Sequence, residues 1–251
     1  MDLELTEKVA LVTGASRGTG FAIARALKRE GATVAINARE SVALAEAGRR
    51  LNASAAVAAD VVDPIEARRL VDEVGACCGR LDILVCNAGS GQSVAPGSET
   101  PAEWKRMLDI NFFAATNMIE AARPVMAAQG GGVIVCISSI CGSAALGAPV
   151  TYSVAKAGLD MAIRGLSRPL AGEGIRLVGV APGNLLVPGG VWARKLSEDP
   201  AGVEAMLARE VALARFGSPE EIADVVCFLA SARAAFVTGE VLVADGGQLR
   251  A

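Results

Sequence analysis

Residues 9–30 read VALVTGASRGTGFAIARALKRE, and the fold turns on this stretch. It opens on a short apolar run of strand length. A turn with glycines at positions 14, 18 and 20 follows, and then a segment whose Phe21, Ile23, Ala24 and Leu27 suit a helix packed on a sheet. Strand, glycine-rich turn and helix, in that order, are the context in which such a turn cradles a dinucleotide. Gly14 permits the tight turn, Gly18 lets the backbone approach a pyrophosphate, and Gly20 lets the helix sit close to the strand. The helix start, reached through Ser16, Arg17 and Thr19, adds free N–H groups and a positive dipole. A strand–helix turn without a ligand uses glycines too, so the flanking units carry weight.

The next unit supports the phosphate reading. Thr33–Asn37 reads as a second strand. An NAD site places an acid at its end, about 20 residues past the glycines, for the ribose hydroxyls. Here that end is Ala38-Arg39. With Arg17, Arg39 suits a 2′-phosphate, which favours NADP(H) over NAD(H); the alternative is two solvated arginines.

Strands and helices alternate to the end. Strands are expected at 55–59, 81–86, 133–137, 176–181 and 241–243. Helices are expected at 42–51 with Ser41 as cap, from Pro64 to about Cys78 with Asp63 as cap, and over 101–128, 152–171, 203–213 and 219–231. This pattern predicts an α/β fold, a doubly wound parallel sheet of seven strands in a single domain over residues 1–251. The apolar, Gly- and Pro-punctuated stretch 184–200 has the length of a lid, placed at about 184–213 with the helix after it. Asn111 lies in a helix that is apolar nearly all round, either satisfied by helix backbone or placed to hold water.

Composition narrows the function. Of 251 residues, 52% are apolar and 20% charged, which fits a sheet buried on both faces and a buried subunit interface. A net charge of −3 without a basic block leaves no footprint for nucleic acid or membrane. The opening MDLELTEK is charged from its second residue, so a cytoplasmic chain without a signal peptide is expected, its six cysteines reduced. Histidine is absent, which removes His-based triads and the commonest metal ligand; no metal is expected. Acid–base chemistry then needs a carboxylate, Lys, Cys or Tyr with a displaced pKa.

The stretch Ser139–Lys156, SICGSAALGAPVTYSVAK, offers one. Tyr152, the only tyrosine, and Lys156 stand four apart on one helix face, and Ser139 follows the strand 133–137. A phenol, an ammonium and a hydroxyl at a strand end form an acid–base site.

On these motifs the chain resembles the short-chain dehydrogenase/reductase family. TGASRGTG (Thr13–Gly20), Asp60-Val61, CNAG (Cys86–Gly89), Asn111, ISS ending in Ser139, YSVAK (Tyr152–Lys156), APG (Ala181–Gly183) and DGG (Asp245–Gly247) occur in family order across nearly the whole chain. The resemblance implies a Rossmann-type fold and hydride transfer between a nicotinamide and a carbonyl or alcohol. It implies Tyr152 as general acid or base, Ser139 holding the substrate oxygen, Lys156 binding the nicotinamide ribose and lowering the Tyr152 pKa, and Asn111 holding a water in a proton relay. Asp60 and Val61 then face the adenine, Asn87, Ala88 and Gly89 the neighbouring ribose, and Pro182-Gly183 the nicotinamide. A homotetramer, or a homodimer, is also implied. The chain departs from the family at Cys86, where Asn is frequent, and at Val187, where many members carry a Thr that bonds the nicotinamide amide.

The expected substrate is a small or medium, partly apolar carbonyl compound, facing lid residues such as Leu185, Val191 and Trp192. Arg194 and Lys195 either meet an anionic group or are solvated. The alternative, a 3-oxoacyl-thioester reductase acting on acyl carrier protein or coenzyme A, loses weight because the mouth-side stretches 127–130 and 172–174 hold no base and Glu173 would repel an acidic carrier. A third reading, a silent NADP(H)-binding sensor or scaffold, would be signalled by loss of Tyr152 or Lys156, and both are present.

Overall fold

The computed structural model describes residues 1–250. Seven parallel strands, β1 (Val9–Val12), β2 (Thr33–Ala38), β3 (Ala55–Ala58), β4 (Ile83–Cys86), β5 (Gly132–Ile137), β6 (Ile175–Pro182) and β7 (Val241–Ala244), lie in the order β3-β2-β1-β4-β5-β6-β7. The chain winds outward from β1 in one direction, then returns to start the other half at β4. That reversal leaves a crevice beyond the strand ends.

Helices cover both faces. They are α1 (Gly18–Arg29), α2 (Ser41–Leu51), α3 (Pro64–Cys78), α4 (Pro101–Leu108), α5 (Ala114–Ala128), α6 (Val150–Ala171), α7 (Val191–Glu198), α8 (Pro200–Glu210) and α9 (Pro219–Ala230). Successive strand residues feed opposite cores. Ala10 and Val12 pack in one layer with Ile23, Leu27 and Val226, while Val9 and Leu11 join Leu70, Val74 and Met118 in the other. This explains the unbroken apolar runs: with both faces covered, polar alternation has no place.

Local chemistry sets most boundaries. Asp63 accepts from the Ile65 N–H at 2.8 Å, Pro64 occupies the first turn of α3, and Gly79 ends it in the left-handed region at φ +78°. Ser218 and Glu221 form a reciprocal capping box on α9. The expected Ser41 cap is not realised: Ser41 is already helical, and Glu40 stands at the N-cap without a side-chain bond. The lid stretch holds an unforeseen helix, α7, hidden in the sequence by the glycines and proline just before it. The long helix over 101–128 is interrupted by a π-helical turn, Asp109–Phe113. Among the described residues, no helix is long and apolar enough to cross a membrane.

Candidate active site

The functional side chains converge because the C-terminal ends of β1, β4, β5 and β6 open onto one cleft of about 900 Å³. Its lining includes Gly14, Arg17, Gly18, Thr19, Gly20, Asn87, Gly89, Asn111, Ser139, Tyr152, Lys156, Pro182 and Gly183. Arg39, Asp60 and Val61 are not part of that lining; they follow the ends of β2 and β3, with Arg39 and Asp60 exposed and Val61 buried. Ser16 is half-buried in the glycine turn, and Ala88 contributes backbone only.

The glycine turn is built to be approached. Gly14 and Gly18 adopt φ of +63° and +58°, which side-chain-bearing residues rarely adopt. A Cβ on Gly20 would lie 2.4 Å from the Asn87 amide nitrogen and 2.5 Å from the Gly14 carbonyl. No side chain caps α1, so its first N–H groups remain available to an anion. Asn87 ties the turn to β4 by donating to the carbonyls of Thr13 at 2.9 Å and Gly14 at 3.2 Å. The Thr13 hydroxyl accepts from the N–H groups of Asn87 and Ala88. A cradle that a single methyl group would fill, beside an uncapped helix start, fits a dinucleotide pyrophosphate. Thr13 was missed as a support residue; its signal is a hydroxyl at the strand end beside the first glycine.

The catalytic candidates meet at the ends of β5 and α6. Lys156 is 4% exposed and donates to the Ile137 carbonyl at 2.8 Å. Burial lowers its pKa to about 8, against the raising influence of Cys136, Asp160 and Cys86. Tyr152 is pushed up to about 12 by burial; the facing Ser139 hydroxyl pulls the other way, and Cys141 and Asp160 add to the rise. The resemblance implied that Lys156 lowers the Tyr152 pKa. Desolvation prevails here instead, with the ammonium 5.9 Å from the ring centroid. Ser139 accepts from the Cys141 N–H at 3.2 Å, which fixes its hydroxyl at the cleft and satisfies a turn at once.

Asn111 sits in the π-helical turn and is 1% exposed. Its oxygen accepts from the Ser90 N–H at 3.0 Å, and its nitrogen donates to the carbonyls of Ser90 and Met107. The protein thus satisfies the amide, while its oxygen keeps a second lone pair. A Cβ on Gly89 would lie 2.8 Å from that oxygen and 3.6 Å from the Lys156 nitrogen, so the glycine keeps the space between them open.

Sequence reasoning did not find Asp160 and Ser138. The Ser138 hydroxyl donates to Asp160 Oδ1, and burial raises the Asp160 pKa despite that bond and the nearby Arg164 and Lys156. A carboxylate one helical turn past Lys156 was the available signal. Glu173 forms an ion pair with Arg123. The repulsion expected of Glu173 toward an acidic carrier is thereby cancelled, because a base 50 residues back along the chain folds over it. Val187 packs against the glycine turn, its Cγ1 lying 3.1 Å from the place of a Cβ on Gly18.

A family model described as enoyl-(acyl carrier protein) reductase matches residues 14–248. The chain is 38% identical to cis-4-hydroxycyclohexanecarboxylate dehydrogenase of Sinomonas cyclohexanicum, with 96% of each chain covered. The chain belongs to the short-chain dehydrogenase/reductase family. It is also 35% identical to the rhamnolipids biosynthesis 3-oxoacyl-[acyl-carrier-protein] reductase of Pseudomonas aeruginosa, over 97% of this chain and 96% of that protein. Its structure matches that of L-sorbose reductase from Gluconobacter frateurii, solved with NADPH and L-sorbose, at a TM-score of 0.93 and 33% identity over all of both chains. As a member of the family it is an oxidoreductase of CH–OH and C=O groups.

Proposed function

We propose that the protein is an NADP(H)-dependent reductase or dehydrogenase that interconverts a ketone and a secondary alcohol of small or medium, partly apolar substrates, with Tyr152 exchanging the proton. The observation that carries this is the meeting of Tyr152, Ser139 and Lys156 at the strand ends beside the glycine cradle. A bound nicotinamide cofactor supplies or accepts the hydride. In reduction, Ser139 donates to the carbonyl oxygen and Tyr152 gives it a proton. With a pKa of about 12 the phenol stays protonated at neutral pH, ready as an acid. Lys156, at about 8, is mostly cationic there and stabilises the phenolate left behind. Asn111 and Lys156 flank the space kept open by Gly89, where a water can pass the proton onward. Asp60, Val61, Asn87 and Gly89 bind the adenosine half, and Pro182-Gly183 face the nicotinamide. The segment 184–213 acts as the lid over the substrate.

Arg39 at the end of β2, where an acid would hold a free ribose, supports NADP(H), as does the NADPH held by the sorbose reductase. A homotetramer or homodimer is supported by exposed apolar residues on α6 and the π-helical turn, among them Met161 at 64% and Phe113 at 45% exposure. A cytoplasmic setting is supported by six unpaired cysteines, of which Cys86, Cys136 and Cys227 are buried. The second reading, a 3-oxoacyl-thioester reductase, is favoured by the Pseudomonas relative's name; the Arg123–Glu173 pair only removes the repulsion expected of Glu173.

The test is Tyr152→Phe assayed with NADPH against a carbonyl panel. Turnover should fall by about 10²–10⁴-fold, the usual worth of a positioned acid, with NADPH affinity preserved. A variant that keeps its turnover refutes the role of Tyr152. Wild-type protein that binds NADPH and oxidises it with no carbonyl compound would point instead to a sensor.

A further inference from the structure

The geometry points to a carboxylate-recognition site at the lid side of the cleft, with Lys195 as its principal ligand, which makes the substrate a keto acid or hydroxy acid. This deepens the function proposed above and rests on it. Five charged side chains line the cleft: Arg17, Lys156, Lys195, Arg209 and Glu210. Arg17 belongs to the glycine turn, and Lys156 is committed beneath Tyr152. Of the three on the lid, Arg209 and Glu210 pair at 2.9 Å and cancel. Lys195 is left as the uncompensated charge of the lid side among the described residues. The neighbouring Arg194 does not line the cleft and lies toward Glu198 at 3.9 Å.

Lys195 is also held in place. Its ammonium lies 4.6 Å from the centroid of the Trp192 ring, which in turn packs on Phe216 at 5.5 Å. An aromatic face steadies a cation without neutralising it, and a steadied side chain loses less entropy when a ligand arrives. A carboxylate partner in the protein would have consumed the charge instead. The cleft that takes in both this ammonium and the Ser139–Tyr152 pair is also lined by the apolar side chains of Leu146, Val191, Trp192 and Met206. The matching ligand is amphipathic: an oxygen function at one end, an apolar middle, and an anion at the other. One uncompensated positive charge matches a monoanionic carboxylate and leaves a phosphate dianion half unpaired. The neutral Arg123–Glu173 pair likewise offers no basic surface for an acidic carrier protein.

The experiment compares 4-oxocyclohexanecarboxylate, its methyl ester and acetoacetyl-coenzyme A as substrates with NADPH, in wild type, Lys195→Gln and Arg194→Gln. The expected result is a kcat/KM about tenfold higher for the acid than for the ester, the scale of one charge-assisted hydrogen bond at a partly exposed site. That ratio should collapse toward unity through KM in Lys195→Gln and persist in Arg194→Gln. Equal rates for acid and ester, a preference that survives Lys195→Gln, or a preference for the thioester overturns the proposal while leaving ketone reduction standing. Binding of cyclohexanecarboxylate and cyclohexanecarboxamide to the enzyme–NADPH complex, read by calorimetry, needs no turnover. If no ketone is reduced, the proposed function fails on its own, and the binding arm still decides. Tighter binding of the carboxylate that depends on Lys195 sustains the site, and equal binding of the two overturns it.

Discussion

Replacing Gly20 with alanine places a methyl group 2.5 Å from the Gly14 carbonyl oxygen and 2.4 Å from the Asn87 amide nitrogen. Ordinary carbon–oxygen contacts are about 3.3 Å or longer, so the turn and the start of α1 must part by about 0.8 Å. The Asn87 amide must also leave, and with it the bonds to Thr13 and Gly14. Each such bond is worth about 1 kcal/mol net, and a buried carbonyl left unpaired costs about 1–3 kcal/mol. A loss of about 2–4 kcal/mol of stability follows from those terms. The same shift displaces the N–H groups of the phosphate cradle, and misplacement of about 1 Å costs up to about 100-fold where binding rests on positioning. NADPH affinity, titrated by the fluorescence of the bound cofactor, should fall by at least about tenfold. The urea midpoint should fall with it. The control is Gly75→Ala in α3, where an added Cβ meets nothing within 4 Å. Alanine is the better helix former there and should stabilise by about 0.5–1 kcal/mol. Unchanged NADPH affinity together with an unchanged urea midpoint in Gly20→Ala would refute the close-approach reasoning.

Other outcomes follow from the same site. Arg39→Asp should lower the NADPH-to-NADH ratio of kcat/KM by about tenfold or more, by trading a charge-assisted bond for repulsion; an unmoved ratio removes Arg39 from cofactor selection. The pH profile of kcat/KM for NADPH, which reports groups of the free enzyme, should bend downward near pH 8. Lys156 is cationic below its pKa of about 8 and loses its charge above it, whereas Tyr152 holds its proton to about 12. A profile that stays level to pH 10, well past the Lys156 pKa, would show that the ammonium is not needed to bind cofactor.

Much of the site was legible because its determinants are local. Tyr152 and Lys156 share a helix face by spacing alone, and the caps Asp63 and Ser218 act on atoms within three residues. Where reading failed, the determinant was distant. Glu173 looked like a free charge because Arg123 lies 50 residues away in the chain. The hold on the Asn111 amide could not be read, because Ser90 lies 21 residues upstream in the chain. Helix α7 escaped because it is short and follows a glycine pair, and its hold on the body of the protein comes through Trp192 on Phe216, from another segment.

The sequence by itself determined the alternation of strands and helices, the glycine turn, and which residues are candidates for acid–base work. Periodicity, turn chemistry and side-chain type are properties of short segments and need no partner to be read. Only the tertiary structure decided the state of those residues. Burial, set by every element packed around β5 and α6, carries Lys156 down to about 8 and Tyr152 up to about 12. The same holds for charge at the cleft mouth: which lid cations are cancelled and which remain depends on neighbours that folding supplies. Desolvation and pairing are sums over the surroundings, and the surroundings exist only once the chain has closed on itself.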